Sequence, residues 1–298
     1  MKNKGYFLVL FTAFISGFSI FMNKFAVAIA NPYIFTFLKN SLVALFLTAI
    51  IFGAWNFKSF KIIKKKQWLL LLSIGLIGGS VPFLLFFKGL SLTTAAEASF
   101  IQKTMFIWIF ILAAVYLKEK ITKNLLLAGM ILMLSNILLL NFSDIRLGWG
   151  TFLIFIATLF WALENVISKY ALAELPAKTV MWARMFFGSI FILIFLLFTH
   201  QITPIAKINS HQLAWIFFTG VLLLGYVSSW YAGLKQIKVS EAAIILMLGS
   251  PVTTLLSMAF LKPVAMKEYI ALALVILAVA VAFGLEIIKK LKLAYVRS

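Results

Sequence analysis

Residues 87–98 read FKGLSLTTAAEA, and residues 231–242, lying 144 positions later, read YAGLKQIKVSEA. In this register Phe87-Lys-Gly-Leu falls on Tyr231-Ala-Gly-Leu, Glu97-Ala98 on Glu241-Ala242, and farther on Leu117-Lys118 on Leu261-Lys262. One deletion upstream, the offset becomes 145. There Lys24-Phe-Ala meets Lys169-Tyr-Ala, Lys39 meets Arg184, Gln67 meets Gln212 and Gly75 meets Gly220. Apolar matches alone would carry little weight in so apolar a chain. Charges and glycines that recur in order are hard to obtain by chance, and they divide the sequence into two copies, residues 1–145 and 146–298.

Of the 298 residues, 64% are hydrophobic and 12% charged, with a mean hydropathy of +1.09. A soluble domain covers its surface with about twice that charge, so the main solvent of this chain is lipid. Ten apolar stretches, 5–26, 33–54, 67–87, 95–116, 124–141, 148–171, 178–199, 211–231, 239–261 and 267–287, approach the length of about 20 residues that a helix needs to span a bilayer. They are apolar throughout instead of alternating, which excludes barrel strands, and their backbone hydrogen bonds must close within each helix. The first run, Tyr6 to Ala26, follows Lys2 and Lys4 as a signal peptide would. It exceeds the h-region of about 7–15 residues and reads as a retained span. Asn31-Pro32, Asn141-Phe-Ser-Asp144 and Thr203-Pro204 are turn-forming breaks, and no connection is long enough for a soluble domain. The expected fold is an all-α membrane protein of ten transmembrane helices in two five-helix repeats. Five is odd, so the second copy enters the membrane inverted, a common architecture of secondary transporters.

The formal charge of +19 sits in clusters between apolar runs, as at Lys64-Lys-Lys66, and not as a stripe on a polar face. Nucleic acid is therefore excluded as a partner, and the charge is read as topology. With the N-terminus inside, eighteen Lys and Arg fall on inner segments and six on outer ends, while Lys39, Lys103 and Arg184 lie within spans. Positive residues favour the inner side, so both termini are expected in the cytoplasm of a multi-pass cell-membrane protein.

The chain resembles the ten-helix drug/metabolite transporters of the EamA type. The resemblance rests on Lys24, Asn31-Pro32 followed by Lys39, Gly89-Leu90 before Ala95-Ala-Glu97-Ala98, and Leu117-Lys-Glu119-Lys120. In the second copy it rests on Trp161-Ala162, Asn165, Arg184, Gly233-Leu234 and Pro251. Lys39 stands where arginine is usual, Ile107 where proline is frequent, and Pro263 where a second glutamate is expected. The resemblance implies cytoplasmic termini, a central cavity between the halves, and export of amino acids or other metabolites.

Ionisable side chains inside a membrane are costly and mark interiors or cavities. Lys39 and Arg184 are equivalent in the repeat, about 9 Å into their helices by the helical rise, and are expected to anchor by snorkelling to headgroups. Glu97 and Glu241 lie near helix N-termini, where the dipole favours an acid, and read as caps. Lys103 and Glu164 differ, because the repeat sets Met247 opposite Lys103 and Ser19 opposite Glu164. Either the two present opposite charges to a substrate cavity or they neutralise each other. Trp161 and Asn165 share a helix face with Glu164 at its edge, and Gln102 and Trp108 are further candidate contacts. Trp230 and Tyr231 read as interface anchors. Pro82 and Pro251 bend helices and are candidate gating positions, with Gly75 and Gly79 nearby.

The reading that follows is a secondary transporter, an exporter by alternating access, for an amino-acid-like or other small organic solute. Its partners are that solute, membrane lipids and a proton gradient, with the protein a monomer or homodimer. Multidrug or organic-cation efflux is the alternative, and a scaffold or membrane enzyme the reading from another class. Enzymatic chemistry has little support: there is no cysteine, two histidines (His200 and His211) flank one loop, and the eight acids are scattered. Neither a cofactor nor a metal is expected, since a metal site usually needs three or four ligands. Reporter fusions test the topology. A reporter joined after Ser298 should be active only in the cytoplasm, and activity outside would overturn the orientation.

Overall fold

The computed structural model describes residues 2–53, 63–139, 148–261 and 266–295, and places a helix at each of the ten expected spans. These are α1 (Lys2–Ile29), α2 (Pro32–Gly53), α3 (Lys65–Leu92), α4 (Ala95–Tyr116), α5 (Lys123–Leu139), α6 (Trp149–Glu174), α7 (Ala177–Phe198), α8 (Ser210–Leu234), α9 (Val239–Leu261) and α10 (Met266–Tyr295). Eight are long and apolar enough to cross a membrane, and the shorter apolar helices Lys123–Leu139 and Tyr269–Ala282 belong to α5 and α10. No strand occurs among the described residues. Large apolar side chains such as Phe7, Leu45 and Phe198 face outward, as lipid permits and water does not.

Local chemistry sets the boundaries. Asn31 caps α2 by accepting the amides of Tyr33 and Ile34 (2.9 and 3.3 Å), and Pro32 occupies the first helical position, where no amide is needed. Thr203-Pro204 forms a short 3-10 turn, Thr203–Lys207. The Asn141–Asp144 turn, the 145/146 division and Pro263 lie outside the described residues. The third span runs to Leu92, beyond its expected end at 87, and its middle is a π-helical turn, Gly75–Ser80, followed by Pro82.

The repeat reappears as matched contacts. Lys24 donates to the Leu90 carbonyl at the end of α3 (2.9 Å), and Lys169 to the Leu234 carbonyl at the end of α8 (2.7 Å). Gln67 reaches Glu174 (2.7 Å), and its counterpart Gln212 reaches the Ile29 carbonyl (2.6 Å), 145 residues before Glu174. Helix packing has the same symmetry: α1 lies against α8 and α9, α6 against α3 and α4, while α2 pairs with α7 and α5 with α10. Each copy thus sends its first helix into the other. Two mixed groups result, α1 with α8 and α9, and α6 with α3 and α4.

Helices α4 and α9 are both interrupted near mid-span, at Thr104 and at Met247–Leu248, which correspond in the repeat. In α9 the cause is Pro251: it offers no amide to the Met247 carbonyl, which instead accepts from Ser250 (3.1 Å). In α4, where Ile107 replaces the proline, the Thr104 hydroxyl takes the Ile101 carbonyl (2.7 Å) and competes with the helix ladder.

The crossing of α3 with α7 leaves no space. A Cβ on Gly79 would lie 2.0 Å from the Arg184 carbonyl oxygen, whereas one on Gly53 would meet nothing within 4 Å. Gly79→Ala should therefore destabilise the purified protein by about 3 kcal/mol, the upper range for overpacking. Gly53→Ala should leave it unchanged or slightly stabilised. Thermal unfolding in detergent checks both.

Candidate functional site

The site starts from an amide that is missing. Pro82 cannot donate to the carbonyl of Gly78, four residues back, and the π turn sends the Val81 amide to Leu76. The freed Gly78 carbonyl accepts instead from the Trp161 indole (3.1 Å) and the Arg184 Nε (3.2 Å). Next to it, the Gly79 carbonyl accepts from Asn40 (3.2 Å). A kink in α3 thereby fixes side chains from α2, α6 and α7.

Trp161 and Arg184 border a cavity of about 60 Å³ between the two mixed groups. Ser16, Ser19, Ile20 and Asn23 of α1 and Leu223 and Tyr226 of α8 form one wall. Phe83, Phe86 and Phe87 of α3, Gln102 and Met105 of α4, and Trp161 and Asn165 of α6 form the other. Lys39 of α2 and Arg184 of α7 complete the lining.

The repeat holds in the cavity wall. Asn23 bonds Ser19 (2.8 Å) and accepts from Lys39 (3.3 Å). The equivalent Ser168 bonds Glu164 (2.5 Å), which stands 3.9 Å from Arg184. The difference is one of charge. Arg184 has a carboxylate beside it, but where the repeat puts Ser19, Lys39 meets, among the described residues, the Asn23 oxygen and ring faces: Phe87 at 3.5 Å, Phe35 at 4.9 Å and Phe83 at 6.0 Å from its Nζ. Such cation–π contacts stabilise an ammonium but leave its charge uncompensated.

Glu164 is fully buried and accepts from Tyr231 (2.5 Å) as well as Ser168. It fits because α3 has no side chain there: a Cβ on Gly78 would lie 2.1 Å from the Glu164 Cγ. Its Oε2 and the Arg184 Nη1 have no hydrogen-bond partner among the described residues.

Several expectations change. Lys39 and Arg184 are 1% and 4% exposed and line the cavity, so neither snorkels; Pro82, Asn23 and the phenyl rings hold them inward. Lys103 and Glu164 do not neutralise each other. Lys103 donates to Ser16 (2.7 Å) and Gln102 (3.1 Å), while Glu164 faces Arg184 and Tyr231. Both lie just behind the cavity wall, which Gln102, Trp161 and Asn165 reach directly. Trp108 faces a separate apolar groove with Ile107, Phe152 and Phe155. Trp230 and Tyr231 are not interface anchors, since they are buried and donate to Asn165 (3.0 Å) and Glu164. Glu97 and Glu241 lie in the first turns of α4 and α9, but among the described residues neither carboxylate accepts a helix amide, and Thr94 caps α4. Glu97 accepts from Thr93 and from Thr151 (2.6 Å), and Glu241 from Tyr6 (2.9 Å), the repeat counterpart of Thr151. Glu119 caps α9 through the Val239 and Ser240 amides (3.1 and 3.2 Å). Pro251 is buried in the first turn beyond the α9 break.

The missed residues carried a signal. Thr12, Ser16, Ser19 and Asn23 place a polar stripe at helical spacing on an otherwise apolar helix, and three of them line the cavity.

Fold and site define a multi-pass α-helical membrane protein whose interior holds a cavity lined by charged, polar and apolar side chains. The EamA-like transporter family matches residues 3–142 and again 148–284. The chain belongs to this family. It is 26% identical over 293 residues to the uncharacterized transporter YyaM of Bacillus subtilis, covering 92% of this chain and 93% of that one. It is also similar to an uncharacterized transporter of Methanothermobacter thermautotrophicus, 32% identical over 114 residues, which is 36% of this chain and 33% of that one. A solved crystal structure has the same fold, with a TM-score of 0.73 at 17% identity, covering 94% of this chain and 97% of that one.

Proposed function

We propose that this transporter is a secondary carrier that moves a small organic metabolite out across the cell membrane by alternating access, with both termini cytoplasmic. The observation that carries the reading is the buried cavity between two helix groups, lined from both copies and holding Lys39 and Arg184 at equivalent positions. Inverted copies can exchange outward and inward forms around such a site. Export is the direction that the family resemblance implies.

Among the bonds that join the groups on one side of the cavity, two are between buried side chains of its wall and the layer behind it, Tyr231 to Glu164 and Trp230 to Asn165. Their repeat counterparts, Phe87 to Ser19 and Phe86 to Ile20, are apolar or unpaired in type. On the proposed topology the polar pair forms a latch on the cytoplasmic side. Glu164, the buried acid beside Arg184 and Tyr231, is the group this reading assigns to coupling with a proton gradient. Organic-cation efflux has less support, because Lys39 and Arg184 line the cavity and Glu164, the one nearby acid among the described residues, already accepts from Tyr231 and Ser168.

Proteoliposomes provide the test, with labelled leucine as an amino-acid-like probe. Glu164→Gln should lose accumulation driven by a pH gradient yet retain leucine–leucine exchange. Undiminished pH-driven accumulation would remove Glu164 from coupling, and no saturable flux of leucine or of the carboxylates described below would contradict the carrier reading.

A further inference from the structure

We propose that the cavity selects a monocarboxylate with an apolar body, and that it neither needs nor favours an ammonium group on the solute. The inference rests on the carrier reading and names the class of solute.

The repeat supplies two cations and only one countercharge. Arg184 has Glu164, while at the equivalent place Lys39 faces Ser19 and Asn23, and among the described residues no carboxylate stands within 4 Å of it. A buried ammonium held by one amide oxygen and ring faces is under-compensated. Arg184 lines the same cavity, and its Nη1 is buried with no hydrogen-bond partner among the described residues. Both cations lie over one ring: Lys39 Nζ is 6.0 Å, and Arg184 Cζ 5.4 Å, from the centroid of Phe83. Both cations also line the cavity, and the oxygen pair of a carboxylate matches a guanidinium well. Behind the wall, Lys103 adds positive charge near Ser16 and Gln102.

The rest of the lining points to the solute's other end. Phe83, Phe86, Phe87, Ile20, Met105 and Leu223 are apolar, and no carboxylate belongs to the wall. The amide oxygens of the wall, which an ammonium would use, each already accept a bond: the Asn165 oxygen from Trp230, the Gln102 oxygen from Lys103, and the Asn23 oxygen from Lys39. Bringing an ammonium beside Lys39 and Arg184 adds like-charge repulsion as well. Removing the amino group from an amino acid should therefore improve binding, and removing its carboxylate should end it.

Two sets of matched probes separate these charges. The first is isocaproate, leucine and isopentylamine; the second is phenylpropionate, phenylalanine and phenethylamine. Each set keeps one skeleton and changes only the charged groups. A ligand that binds the folded state raises its unfolding temperature, so thermal unfolding of the purified protein is read over a millimolar titration. The carboxylates should stabilise at least as strongly as the amino acids, and the amines should not. Lys39→Met should weaken carboxylate binding at least about tenfold, the scale of losing one partner of a buried charge pair. Ser19→Glu gives Lys39 the countercharge that the repeat gives Arg184, and should abolish carboxylate binding. Stabilisation by the amines, tighter binding of the amino acids by tenfold, or no shift with any carboxylate would overturn the inference. Flux of amines through the cavity would sink the anion preference and leave the carrier reading intact. Carboxylate binding without saturable flux or exchange would do the reverse.

Discussion

A single carbonyl organises this protein. Pro82 has no amide to give Gly78, and a carbonyl released inside a membrane cannot turn to water for a partner. The Trp161 indole and the Arg184 guanidinium take it. Those bonds hold α6 and α7 against α3, where Gly78 and Gly79 leave space for Glu164 and for the Arg184 backbone. Add side chains at those glycines, or an amide at Pro82, and the cation, the acid and the cavity wall lose their common support.

Symmetry and its violation divide the structure between fold and chemistry. Matched residues build the frame: Lys24 and Lys169 hold helix ends, Gln67 and Gln212 tie the copies together, and Glu97 and Glu241 bond α4 to α6 and α9 to α1. Unmatched residues make the interior asymmetric. Pro82, Gly78, Glu164 and Lys103 have no like counterpart, and each alters charge or backbone bonding near the cavity. A duplicated frame can keep its architecture while one half specialises.

The frame was legible in the sequence because bilayer thickness dictates span length and the repeat dictates order. Even the break in α9 follows from Pro251. The interior was less legible, since the position of a charge along a span does not say which way it faces. Lys39 and Arg184 lie about two turns from a helix end, a depth that suits snorkelling and a cavity equally well. Aromatic residues near span ends are ambiguous in the same way: Trp230 and Tyr231 lie where an interface belt would place them, yet Asn165 and Glu164 draw them inward. The decisive clues were local, in a proline four residues after a glycine and in a polar stripe of Thr12, Ser16, Ser19 and Asn23.

The central claim is that solute passes through the cavity between the two helix groups. The chain contains no cysteine, so Ser19→Cys puts a single thiol in the cavity wall. In oriented membranes, a membrane-impermeant anionic thiosulfonate should react with that thiol from at least one face, and isocaproate should slow the reaction. A thiol silent from both faces, in protein that folds and carries solute, would place the pathway elsewhere and contradict the account.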